Sequence, residues 1–77
     1  IKLTLNIYLN SKNYKLINGF ENFLRSLDLV SNYYIDNFNN NTVHFKIIYN
    51  ATPDKFIKKT LSNGFNIDTS SNNWKIQ

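Results

Sequence analysis

His44 is the only histidine in the chain, and it is where acid–base or metal chemistry would start. An imidazole can serve as a general base or a ligand, but either role needs a partner: an orienting carboxylate or further ligands. The carboxylates are Glu21, Asp28, Asp36, Asp54 and Asp68. None stands at a spacing that pairs it with His44, so His44 reads as a solvated surface residue. Asp54 belongs to a helix start, Glu21 to the polar side of a helix, and Asp28 to a turn. A catalytic pair needs two groups to converge, and this pattern brings none together. Cysteine is absent, which excludes disulfides and Cys-based zinc sites. The chain therefore reads as non-enzymatic, with no catalytic residue, metal or cofactor expected.

Two glycosylation patterns occur, Asn40-Asn41-Thr42 and Asn50-Ala51-Thr52. They carry no information, because a chain this rich in Asn, Ser and Thr produces about two by chance. Fifteen of the 77 residues are Asn, eight of the nine basic residues are Lys, and the net charge is +4. A basic balance suits nucleic acid or an anionic surface. The lysines are scattered, however, and codon drift in an AT-rich genome yields the same composition. No apolar run has the 18 or so residues of a membrane span. The chain makes one small domain, and its first residue, Ile1, suggests a piece of a longer protein.

The elements that would position any site follow from periodicity. Ser11–Leu27 is an amphipathic helix with Leu16, Ile17, Phe20, Phe23, Leu24 and Leu27 on one side and Ser11 as N-cap. Phe20 is expected to pack between helix and sheet against Leu5, Leu24 and Phe45. Gly19 inside this helix suggests close helix–sheet contact or drift. Lys2–Leu9 alternates strictly, with Leu3, Leu5, Ile7 and Leu9 inward. Val30–Phe38 is a second strand, with Val30, Tyr33, Ile35 and Phe38 inward and a bulge near Ser31-Asn32. Asn37 to Asn41 is a hairpin loop, where Asn tolerates left-handed angles. Thr42–Tyr49 turns Val43, Phe45, Ile47 and Tyr49 inward.

Thr52-Pro53-Asp54 starts a second helix, which buries Phe56, Ile57, Thr60 and Leu61 and ends near Ser62. Asn63-Gly64 supplies a left-handed cap. Phe65-Asn66-Ile67 begins the last strand. Trp74-Lys75-Ile76 either resumes it or closes a small hairpin. The order is βαββαβ. Right-handed crossovers then give an α+β, ferredoxin-like fold: a four-stranded antiparallel sheet with two helices on one face.

That plan leaves one sheet face open. Its central residues are Thr4, Asn6, Tyr8, His44, Lys46 and Ile48, and Tyr8, His44, Lys46 and Ile48 form the candidate interaction surface. The RNA-recognition motif shares the plan, and Ile7-Tyr8-Leu9 faintly resembles its first-strand signature, with Tyr8 as a stacking platform. Its third strand needs a glycine and exposed aromatics, whereas Phe45 and Tyr49 face inward here. Binding of RNA or single-stranded nucleic acid is therefore the alternative reading.

Further features run along the whole chain. They are the opening alternating strand, Tyr14 and Ile17, then Leu27, Val30 and Tyr33-Tyr34-Ile35. Val43-His44-Phe45-Lys46-Ile47-Ile48-Tyr49 follows, then Asp54, Phe56, Leu61, Gly64-Phe65 and Trp74-Lys75-Ile76. On these residues the chain resembles the C-terminal module of a family of uncharacterised, exported proteobacterial proteins, a domain of unknown function. Asn and Lys stand here where that family usually has Gly and Ala. The resemblance implies a periplasmic or cell-envelope location and brings no activity; a cytoplasmic location stays open. The expected function is a non-catalytic accessory module of a bacterial envelope protein, acting through contact with other proteins or domains.

Overall fold

A computed structural model describes residues 2–77. It contains β1 (Leu3–Asn10), α1 (Tyr14–Ser26), β2 (Val30–Phe38), β3 (Thr42–Tyr49), α2 (Pro53–Ser62), β4 (Ile67–Asp68) and β5 (Trp74–Ile76). The strands form one sheet in the order β2-β3-β1-β5-β4. Period-two alternation in β1 and β3 sends Leu5, Ile7, Leu9, Val43, Phe45, Ile47 and Tyr49 to one side, where all are buried. Both helices supply the rest of that core, through Ile17, Phe20, Phe23 and Leu24 of α1 and Phe56 of α2. Phe20 sits edge-on to Phe45 with ring centroids 5.4 Å apart, and Tyr49 sits edge-on to Phe56 at 5.2 Å.

The α+β plan with two helices on one face holds, but the sheet departs from four antiparallel strands. It has five strands and is mixed. β1–β3, β2–β3 and β4–β5 are antiparallel, whereas β1–β5 is parallel. After α2 the chain runs down the outer edge as β4, reverses, and returns as β5 in the place beside β1. Apolar content explains the exchange. β5 turns Trp74 and Ile76 toward the core, and Ile76 is only 3% exposed, whereas β4 offers Ile67 alone. The strand with more to bury takes the inner place.

Helix α1 begins at Tyr14, not Ser11. Asn10 Oδ1 accepts from the Lys12 N–H at 2.9 Å and holds a turn, and Asn13 Oδ1 caps the helix by accepting from the Leu16 N–H at 3.1 Å. Ser11 is buried in that turn, its N–H donating to the Asn41 carbonyl. Gly19 does not touch the sheet; it faces the Phe65 ring of the segment after α2.

In α2, Thr52 caps and Pro53 opens the first turn as expected. Gly64, at φ 88°, closes the helix, with Phe65 N–H donating to the Thr60 carbonyl and Gly64 N–H to the Leu61 carbonyl. Leu61 is exposed rather than buried; Thr60 fills the core side, its hydroxyl donating to the Phe56 carbonyl at 2.8 Å. In β2 the register shifts near Ser31 as expected and again between Ile35 and Asn37. Ile35 and Phe38 lie on the helix side of β2, yet both are largely exposed, because neither helix reaches the far half of this edge strand.

Candidate functional site

The face opposite the helices is organised by strand register. Across the sheet, Asp68 pairs with Lys75, Lys75 with Tyr8, and Tyr8 with His44. A second row runs Asn6, Lys46, Tyr34, and a third Thr4, Ile48, Asn32. The sequence-derived residues Tyr8, His44, Lys46 and Ile48 are thus brought together on one surface, with Asn6 and Thr4 among them. All four are half-buried, held by their neighbours rather than standing free in water.

His44 does have partners, contrary to the sequence reading. Its Nε2 lies 2.9 Å from Asn6 Oδ1, and its Nδ1 lies 3.4 Å from Asp36 Oδ2. Its ring stacks on Tyr8 with centroids 4.4 Å apart and planes within 8°. Its side chain is 13% exposed, so it is no solvated surface histidine. An imidazolium can donate to both oxygens, and a neutral ring to one. Either way, both nitrogens face protein oxygens, and neither is aimed at an incoming substrate.

Asp36 is the neighbour that only the hairpin register reveals. With Ile35 inward, Asp36 turns outward, and a hairpin folded about Asn39 to Asn41 sets it beside His44. The loop is closed by a side chain rather than by left-handed backbone. Asn39 Oδ1 accepts from the N–H groups of Asn41 at 2.8 Å and Thr42 at 2.9 Å. Among the described residues no residue other than glycine has positive φ. Tyr34, Lys75 and Asp68 also join the face. The last two depend on the C-terminal hairpin, which periodicity left undecided. The Ser70 hydroxyl and the Ser70 N–H, the latter 2.9 Å from Oδ1, hold the Asp68 carboxyl below the usual carboxylate range, and the charge of Lys75 adds to this.

Two other clusters lie off the open face. Glu21, Arg25 and Tyr33 link α1 to β2: Arg25 donates to Glu21 at 3.1 Å and to the Tyr33 oxygen at 3.2 Å. A shallow cleft brings Tyr49, Lys55, Lys59 and Asp28 together. Burial pushes the Tyr49 phenol up, so it is a donor at neutral pH and not a base. Asp28 offsets one of the two lysines, which leaves the cleft a single net positive charge. Among the described residues no group of three or more metal-ligating side chains is present, and no helix is long and apolar enough to cross a membrane. No family model, curated protein or solved structure matches the chain.

Proposed function

We propose that this domain is a non-catalytic interaction module of a larger bacterial envelope protein, and that it docks a protein partner on the open face of its sheet. One observation carries the reading: the Tyr8–His44 stack, held by Asn6 and Asp36 at the centre of that face. Side chains already fixed in one geometry lose little freedom on binding. Tyr8 and Ile48 supply apolar area, while Asn6, Lys46 and Tyr34 supply hydrogen bonds and charge, a mixture that suits a non-obligate interface. The engagement of both His44 nitrogens supports a binding role over a catalytic one. The envelope setting rests on the family resemblance along β1, β2 and β3.

Nucleic-acid binding is the competing outcome. Lys46 and Lys75 flank the aromatic pair, as a backbone-tracking surface would require. Against it, one face of each ring is already covered by the other, which removes stacking area from an incoming base.

Chemical-shift mapping against the remainder of the parent protein tests the proposal. Shifts centred on Tyr8, His44 and Ile48 are expected. Shifts confined to the outer helix faces, around Lys15, Asn22 and Lys58, overturn it. So does sub-micromolar binding of a single-stranded oligonucleotide that weakens on Tyr8→Ala.

A further inference from the structure

Tyr49 is the largest of the fully buried side chains, at 1% exposed, yet its hydroxyl makes no hydrogen bond among the described residues. Buried polar groups normally have a partner. Among the described residues no side-chain nitrogen or oxygen is both sealed from solvent and unpartnered, so the sliver of Tyr49 left open falls on that hydroxyl. It opens into the cleft between the α1–β2 turn and α2, a space of about 190 Å³ lined also by Leu27, Asp28, Leu29, Lys55 and Lys59. The geometry is fixed from behind. The Tyr49 ring packs edge-on to Phe56, and the Asn50 N–H donates to the Leu29 carbonyl at 2.8 Å, which holds the turn beside the end of β3. Lys55 and Lys59 stand one turn apart on one side of α2. The ion pairs among the described residues are Arg25–Glu21 and His44–Asp36, so neither lysine nor Asp28 is in one. The N–H groups of Asp28 and Leu29 likewise have no acceptor among the described residues.

We propose that this cleft binds one small carboxylate, with the Tyr49 hydroxyl donating to one of its oxygens and Lys55 and Lys59 neutralising its charge. Volume decides the size. Drug-sized ligands fill roughly 300–1,000 Å³, and a water takes about 30 Å³ of liquid, so this space suits a group of a few non-hydrogen atoms. Charge decides the class. Two lysines less Asp28 leave one positive charge, which a monoanion balances, whereas a dianion would leave a negative charge uncompensated beside Asp28. Burial keeps the phenol protonated, so it donates where an anion needs a donor. Leu27 and Leu29 offer an apolar wall to the alkyl part. A free acid and the C-terminus of a peptide present this same group. The site lies off the open face of the sheet and does not depend on the reading of that face.

Titration with sodium acetate, followed by chemical shifts at constant ionic strength in sodium chloride, tests the site. Shifts at Leu29, Tyr49, Lys55 and Lys59 should saturate with a dissociation constant of about 1 mM, within what four non-hydrogen atoms can supply. Tyr49→Phe removes the hydroxyl and leaves the buried ring. It should keep the urea midpoint of the parent chain and weaken acetate binding about tenfold. N-acetylglycylglycine distinguishes the two sources: binding tighter than that of acetate assigns the group to a peptide C-terminus, and weaker binding assigns it to a free acid. Its C-terminal amide should not bind in either case. Shifts that grow linearly well past the millimolar range, that persist unchanged in Tyr49→Phe, or that sulfate reproduces at equal strength overturn the proposal. So does a lowered urea midpoint in Tyr49→Phe, because the hydroxyl would then serve the fold.

Discussion

Strands β1 and β3 carry two faces that differ in almost every respect. On the helix side, Ile7, Val43, Phe45 and Ile47 are each 0% exposed, and the contacts are aliphatic or aromatic. On the open side their sequence neighbours Tyr8, Thr42, His44 and Lys46 are half-buried. Tyr8 and His44 are joined by a stack, and His44 also makes polar contacts with Asn6 and Asp36. One residue of displacement along a strand separates the two environments. The covered face holds the domain together, because burial scales with apolar area. The open face is ordered by directional contacts, each of modest net stabilisation.

The largest expected effect breaks the covered face. Phe20 is fully buried and lies within 6 Å, ring centre to ring centre, of Phe23, Phe45 and Phe65. Phe20→Ala should cost about 3–5 kcal/mol, a large part of the stability of so small a domain. On the open face, His44→Ala removes one stack and two polar contacts and should cost about 0.5–1.5 kcal/mol. Urea midpoints of the two variants measure the difference. Equal losses would mean that the open face carries as much of the fold as the core.

What the sequence made legible follows the same division. The covered face is written in strict periodicity, so β2 and β3 have the predicted bounds, β1 is displaced by one residue, and Ile17, Phe20, Phe23 and Leu24 of the expected α1 stripe are buried, with Leu16 and Leu27 half-buried at its ends. Local polar competition is not periodic. Asn10, Asn13 and Asn39 each offer a side-chain acceptor to a nearby N–H, which moved the start of α1 and closed the hairpin without left-handed residues. The C-terminal hairpin was undecided because the polar residues Thr69 to Asn73 give no pattern. Its place beside β1 is a contact between residues far apart in sequence. The open face was legible as a set of outward residues, but the clasp on His44 needed the hairpin register, and its fifth-strand neighbour Lys75 needed the topology.

A smaller effect, of opposite sign, comes from α1. Gly19 stands inside a helix with no positive φ to justify it. A Cβ built there meets only the Phe65 ring, at 3.9 Å, which is ordinary contact. Gly19→Ala should therefore stabilise the domain by about 0.5–1 kcal/mol through helix propensity, with no overpacking. Thermal denaturation checks it. A lower melting midpoint would show that α1 and the Phe65 segment approach too closely to admit a methyl group, and that Gly19 is required by packing.

The smallest effect lies at the rim of the open face, where Asp68 faces Lys75. Its carboxyl is held below the usual range, first by the Ser70 hydroxyl and then by the Ser70 N–H, with Lys75 adding to both. A depressed pKa in the folded state means that the folded chain binds the proton less readily than the unfolded one. The resulting stabilisation is fully present above the ordinary carboxylate value and fades as pH falls through the lowered one. Asp68→Asn keeps the shape of the turn and removes the charge. Its urea midpoint should lie slightly below that of the parent chain at about pH 7, and the gap should narrow as pH falls through the lowered carboxylate value and both side chains become neutral. A gap that persists at low pH would place the role of Asp68 in the geometry of the β4–β5 turn, through the acceptor it gives Ser70, and not in its charge. The β5 strand and Lys75 would then be held beside Tyr8 by packing of Trp74 and Ile76 on the covered side, with no contribution from the open face.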